Sequence, residues 1–177
     1  NQGGLVSNNT TISCLDFDAS STNAKSIDID NSILNLAGVN WMIDPVSITW
    51  TSLNSIININ NPGAVIFDGG SVIYDTVISL SSNLSVSNDN SFSLLSLAPL
   101  TTLTLANSSN QTIDSLITPG GNCTTSFVIE SANPLNPSAS ITKSGFGVFT
   151  GSNLSVNNVD AIAPSVYNIS LSDTTNS

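Results

Sequence analysis

Asp16 and Asp18 in LDFDA, with Asp28 and Asp30 in SIDID, are the residues of this chain best spaced for chemistry. Alternation along an extended strand points each pair of carboxylates to the side opposite Leu15/Phe17 and Ile27/Ile29. If two successive turns of chain stacked, four carboxylates would converge. Such a set suits Ca²⁺, a hard cation that takes several oxygen ligands. The same four residues also read as a solvated acidic edge that discourages end-to-end pairing of strands. A structural Ca²⁺ on Asp16, Asp18, Asp28 and Asp30 is therefore the one cofactor the sequence suggests.

Other chemistries are poorly supplied. Glycoside hydrolysis needs a protonated acid opposite a second carboxylate at defined separation, and Glu130 in FVIES is the sole glutamate. The chain has no histidine, so Ser-His-Asp arrangements lack their base. A non-catalytic protein is expected. Trp41, Trp50, Tyr74 and Tyr167 would stack on sugar rings if exposed. Trp50 alternates with Thr49 and Thr51 and is expected to pack inward, whereas Trp41, after Gly38 and Asn40, reads as exposed or as the cover of a coil end. The pairs Thr49/Thr51 and Thr102/Thr104 share the spacing of ice-binding solenoids, but two isolated pairs do not make the array that ice requires.

The elements that position these residues are strands. Runs of period-two alternation cover 10–19, 25–38, 46–52, 55–60, 64–68, 71–82, 84–89 and 92–97. They continue over 100–108, 111–118, 125–131, 139–143, 147–150, 153–158 and 167–172. Gly, Pro, Asn and Ser clusters such as NPG, DGG and TPGG bound them. No segment shows a sustained helical period with caps. The fold class is all-β.

Asn, Ser and Thr supply 24, 32 and 17 of the 177 residues, and only 8% are charged, against about 25% in an average soluble domain. A polar tract of this kind would be disordered without a core, yet Ile, Leu and Val recur at every second position. A sandwich or closed barrel would show longer strands and more Asn-Gly or Asp-Gly hairpin turns. Short strands at close intervals instead fit a parallel β-solenoid with three strands in a coil of about 20–28 residues. The expectation is a right-handed parallel β-helix of about seven coils over 1–177, a single solenoid segment of a longer chain. NLSVSN (83–88) and NLSVNN (153–158) are its clearest internal echo.

Stacked coils explain the scarcity of charge. Like residues lie above like, so charges of one sign would repel, while asparagines hydrogen-bond amide to amide up a ladder and tolerate the left-handed backbone of tight corners. In NSIININNPG, Ile56, Ile57 and Ile59 are expected to supply core, and Asn58 and Asn60 to face water or a corner. Cys14 and Cys123 would lie in the first and about the fifth coil, roughly 20 Å apart at the strand spacing, too far for a disulfide. A net charge of −10 argues against nucleic acid and anionic lipid. No run is long and apolar enough for a membrane-spanning helix.

The segments also resemble large surface proteins of Bacteroidetes. Those proteins carry a threonine-rich strand, a turn around a G-T-C triplet, and a following A-x-I-S/T-K strand. The matching residues are Thr104, Gln111, Thr112, Ile113, Gly121, Cys123, Ile129, Ser131, Ile141 and Lys143. The resemblance spans about residues 9–165, rests on strands and turns, and includes no catalytic signature. It implies a right-handed β-helix within a secreted adhesin exported by type IX secretion, in some relatives a gliding adhesin. It further implies an extracellular, cell-surface location, with partners among polysaccharides, extracellular surfaces and secretion or surface-anchoring proteins.

Overall fold

The structure, a computed structural model, describes residues 3–118, 127–133, 138–151 and 154–162. Every regular element among them is a strand. The first coil contains β1 (Gly3–Val6), β2 (Thr11–Cys14) and β3 (Phe17–Ala19). The second contains β4 (Lys25–Asp28), β5 (Ile33–Leu36) and β6 (Asn40–Ile43), and the third β7 (Ile48–Thr51), β8 (Ile56–Ile59) and β9 (Ala64–Asp68). Two-strand coils follow: β10 (Ile73–Ser79) with β11 (Asn83–Ser87), β12 (Ser91–Leu97) with β13 (Thr102–Leu105), and β14 (Asn110–Ile117) with β15 (Phe127–Ser131). The chain continues through β16 (Ala139–Lys143), β17 (Phe149–Thr150), β18 (Leu154–Asn157) and β19 (Val159–Ile162).

All pairings are parallel. They build a short sheet β1-β4-β7, a long sheet β2-β5-β8-β10-β12-β14-β16-β19 and a closing sheet β3-β6-β9-β11-β13-β15-β18. Each strand pairs with its equivalent one coil away, which makes the molecule a β-solenoid of about seven turns. Its core consists of columns. Ile12, Leu34, Ile57, Val77, Leu95 and Leu116 align through the long sheet. Val65, Leu84, Leu103 and Ile129 align through the closing sheet. Burying a side chain of this kind stabilises by about 1.5–3 kcal/mol, and each column repeats that gain once per coil.

Two details differ from the sequence expectation. The runs 10–19 and 25–38 are each broken into two strands, at Leu15–Asp16 and at Ile29–Ser32; Asn31 takes left-handed backbone (φ 55°) and turns the chain there. Three strands per coil holds only for the first three coils. In β10, β12 and β14 the first two sides merge into one strand, bent where two successive residues both face out of the core: Asp75–Thr76, Ser93–Leu94 and Asp114–Ser115. The run 167–172, Tyr167 and Cys123 lie outside the described residues. Cys14 is free, and burial, then the charge of Asp16, push its thiol pKa up.

Candidate functional site

The four aspartates sit at two different corners. Asp18, on β3, lies beside Met42, and Asp28, on β4, lies between Val6 and Thr51. Among the described residues no group of three or more His, Cys, Asp or Glu side chains is placed to hold a metal. The coil offset is the reason: 23 residues separate Lys25 from its partner Ile48, and no aspartate recurs at that interval from these four.

Their oxygens are occupied with backbone instead. Asp16 Oδ1 accepts from the amides of Val39 (2.9 Å) and Asn40 (2.8 Å) in the next coil. Gly38 permits this approach, since a Cβ there would stand 2.2 Å from Leu15 O. Asp30 Oδ1 accepts from Leu53 N at 2.6 Å, again one coil on. Asp18 and Asp28 close local turns through Ser20 N and Asp30 N, and the Ser20 hydrogen bonds hold the Asp18 carboxyl below its usual range. Asp89 and Asp114 repeat the inter-coil role toward Asn110 N and Gly147 N, both at 2.8 Å.

The lysines supply the complement. Lys25 Nζ donates to the carbonyls of Ser21 (2.5 Å) and Val46 (3.2 Å). Lys143 Nζ donates to Ser144 O and Gly145 O and lies 3.7 Å from Asp114 Oδ1. These charged groups serve corners, where backbone groups leave the ladder and need partners.

Asparagine behaves as the stacking argument requires. Asn58 Nδ2 donates to Asn35 Oδ1, and Asn54 Nδ2 to Asn31 Oδ1, each at 3.0 Å across one coil. Ile57 and Ile59 are fully buried and Asn60 is exposed, but Ile56, expected in the core, alternates outward with Asn58, both half-buried.

A second corner device was not read from the sequence. A left-handed residue precedes a buried hydroxyl in Asn31-Ser32, Asn54-Ser55, Leu100-Thr101 and Ser108-Ser109. In three of these the hydroxyl donates three residues back: Ser55 to Ser52 O, Thr101 to Ala98 O and Ser109 to Ala106 O, at 2.7–2.9 Å. The recurring Asn-Ser pairs were its only visible signal.

Trp41 and Tyr74 belong to the core and Trp50 packs against it. Trp41, wholly buried, stacks between Phe17 (4.3 Å between centroids) and Phe67 (5.8 Å). Its Nε1 donates to Tyr74 Oη at 3.1 Å, and Tyr74 donates to Gly69 O at 2.7 Å. Trp50 is half-buried and donates to Ile73 O. Thr49/Thr51 lie on the short sheet and Thr102/Thr104 on the closing sheet, so the two pairs never share a face. Glu130 sits on the closing sheet and accepts from Thr104 Oγ1 at 3.3 Å.

Corner aspartates, amide ladders and stacked aliphatic columns together define a parallel β-solenoid whose polar groups are engaged chiefly with its own backbone. Comparison with protein families, characterised proteins and solved structures finds no match for the chain.

Proposed function

We propose that this chain is a structural and adhesive module of a secreted bacterial cell-surface protein. The observation that supports this reading most is the division of labour among its polar groups. Asp16, Asp30, Asp89, Asp114 and both lysines bind corner backbone, while the faces between corners present mainly amides, hydroxyls and aliphatic groups, with few charges such as Asp18, Asp68 and Glu130. Such faces make weak contacts with neutral surfaces, and many coils in series convert weak contacts into avidity. The resemblance of residues 9–165 to Bacteroidetes surface proteins supports an extracellular location and type IX export.

Retention of the purified chain on immobilised neutral polysaccharides, scored beside product release from the same glycans, tests the proposal. Reversible retention without turnover is expected. Turnover lost in Glu130→Gln would replace it with a carbohydrate-active reading.

A further inference from the structure

The outward positions of the first six strands of the long sheet, taken after the bend in β10, β12 and β14, differ from the surfaces around them; past these strands the sheet carries Asp160 outward on β19. Two residues per coil face outward on β2, β5, β8 and the parts of β10, β12 and β14 that follow the bend, between Thr11 and Ile117. None of the twelve is charged, in a chain of net charge −10. Ile33, Ile56, Ile78, Leu94 and Ile117 share this face with amides and hydroxyls such as Asn35, Asn58, Thr76 and Ser96. The closing sheet carries Asp18, Asp68 and Glu130 at outward positions, and the short sheet carries Asp28. Asp75 and Asp114 stop at the bend, one residue before the face begins in each strand.

From this placement, and resting on the adhesive reading above, we infer that the outer face of the long sheet is the contact surface and that its ligand is a neutral polysaccharide. The chemistry matches at two levels. Pyranose rings present apolar C–H faces between hydroxyl rims, and the sheet offers aliphatic groups interleaved with hydrogen-bonding amides and hydroxyls. An uncharged face asks no carboxylate to lose its water on contact, whereas every other face of the rod does.

Size separates this ligand from a second copy of the chain. Six strands at about 4.8 Å spacing, each about 10 Å wide across the outward residues, offer about 300 Å². Two such faces would bury about 600 Å², roughly half of what a stable interface between proteins needs. A small flat face whose outward residues recur coil after coil fits a long polymer instead, where many weak engagements add.

Variants that place charge on the face test the assignment. Thr76→Glu/Ser96→Glu and Thr76→Lys/Ser96→Lys alter two half-buried outward residues, and Thr102→Glu/Ser155→Glu makes the matched change on the closing sheet. Circular dichroism and thermal melting establish folding, and the single lysine variants carry the test if the pairs unfold. Retention is measured on cellulose, chitin and cross-linked agarose. Wild type and the closing-sheet variant are expected to be retained, and both long-sheet variants to lose retention at least tenfold. Equal retention of wild type and either long-sheet variant overturns the face while leaving adhesion in place. Retention of wild type on none of the three matrices overturns the adhesive reading itself. Self-association seen by sedimentation in wild type and lost in the long-sheet variants, without glycan retention, makes a second copy the occupant and overturns the polysaccharide.

Discussion

The first three coils and the three that follow enclose similar aliphatic columns but turn the chain differently. In the first group the short and long sheets meet at a corner where Asn9, Asn31 or Asn54 takes left-handed backbone, with φ of 54–55°. In the second group that corner is gone, and a bend inside β10, β12 or β14 replaces it. Coil length changes too: Ile33 to Ile56 is 23 residues, Ile73 to Ser91 is 18 and Ser91 to Thr112 is 21, but Asn110 to Ser140 is 30. A left-handed corner costs backbone strain for any residue but glycine and is best tolerated by asparagine. A bend costs only two outward side chains in succession.

The join between the two geometries is where Phe17, Trp41, Trp50, Phe67, Tyr74 and Phe92 gather. Trp41 and Trp50 come from the second and third coils, Phe67 from the third, and Tyr74 and Phe92 from the fourth and fifth; their rings lie 5.0–6.3 Å apart at the nearest contacts. Trp50 Nε1 and Ser52 Oγ both donate to Ile73 O, fastening the end of the short sheet to the start of β10. If the join is the keystone, Trp41→Ala will be the most damaging single change. It removes a fully buried ring at an expected cost of about 3–5 kcal/mol. Leu103→Ala, in the regular two-strand region and equally buried, should cost about 2–4 kcal/mol. Urea unfolding of both variants makes the comparison, and a larger loss at Leu103 would move the keystone into the regular coils.

Tyr74 offers a smaller effect with a pH signature. Burial pushes its phenol pKa well above the ordinary value near 10, with the Asp68 charge adding to the rise and the Trp41 hydrogen bond opposing it. A raised folded-state pKa means that the unfolded chain releases the proton first. The stabilisation is complete below about pH 10 and falls as pH rises beyond that. Tyr74→Phe should cost about 1–3 kcal/mol at pH 7, because Trp41 Nε1 loses its buried acceptor. It should also flatten the decline in stability above pH 10. Melting temperatures between pH 7 and 11 resolve the two parts, and an unchanged alkaline slope would show that Tyr74 does not carry it.

The parallel stacking was legible because alternation and the shortage of charge are properties of every coil at once. Asn58 on Asn35 follows from that periodicity alone. The aspartates were misplaced for a local reason. Reading 10–19 as one strand hides the corner at Leu15–Asp16, and alternation loses its meaning across a corner. Asp16 therefore faces Val39 and Asn40 amides rather than a neighbouring carboxylate. The merged strands were illegible for a related reason: Asp75–Thr76 reads as a defect in alternation until the bend it produces is seen. Trp41 was ambiguous because Gly38 and Asn40 mark a turn, and nothing local reveals that Phe17 and Phe67 stack on either side of it.

The smallest effect concerns corners of like design occupied by unlike residues. Asn54 and Leu100 both take left-handed backbone, at φ 55° and 68°, and each precedes a buried hydroxyl residue, Ser55 or Thr101. Asparagine suits that conformation, and leucine strains it by about 1 kcal/mol or more. Leu100 is half exposed (50%), so its side chain returns little burial for the strain. Leu100→Gly should therefore stabilise the two-strand region by about 0.5–1 kcal/mol, with the glycine's extra unfolded-state entropy limiting the gain. Asn54→Ala should destabilise the three-strand region by about 1 kcal/mol, since it adds strain and removes the hydrogen bond to Asn31. Opposite signs in the two melting shifts are the expected result. Destabilisation by Leu100→Gly would mean that the Leu100 side chain contributes more through packing than its corner costs in strain, and the two corners would then be equivalent in form alone.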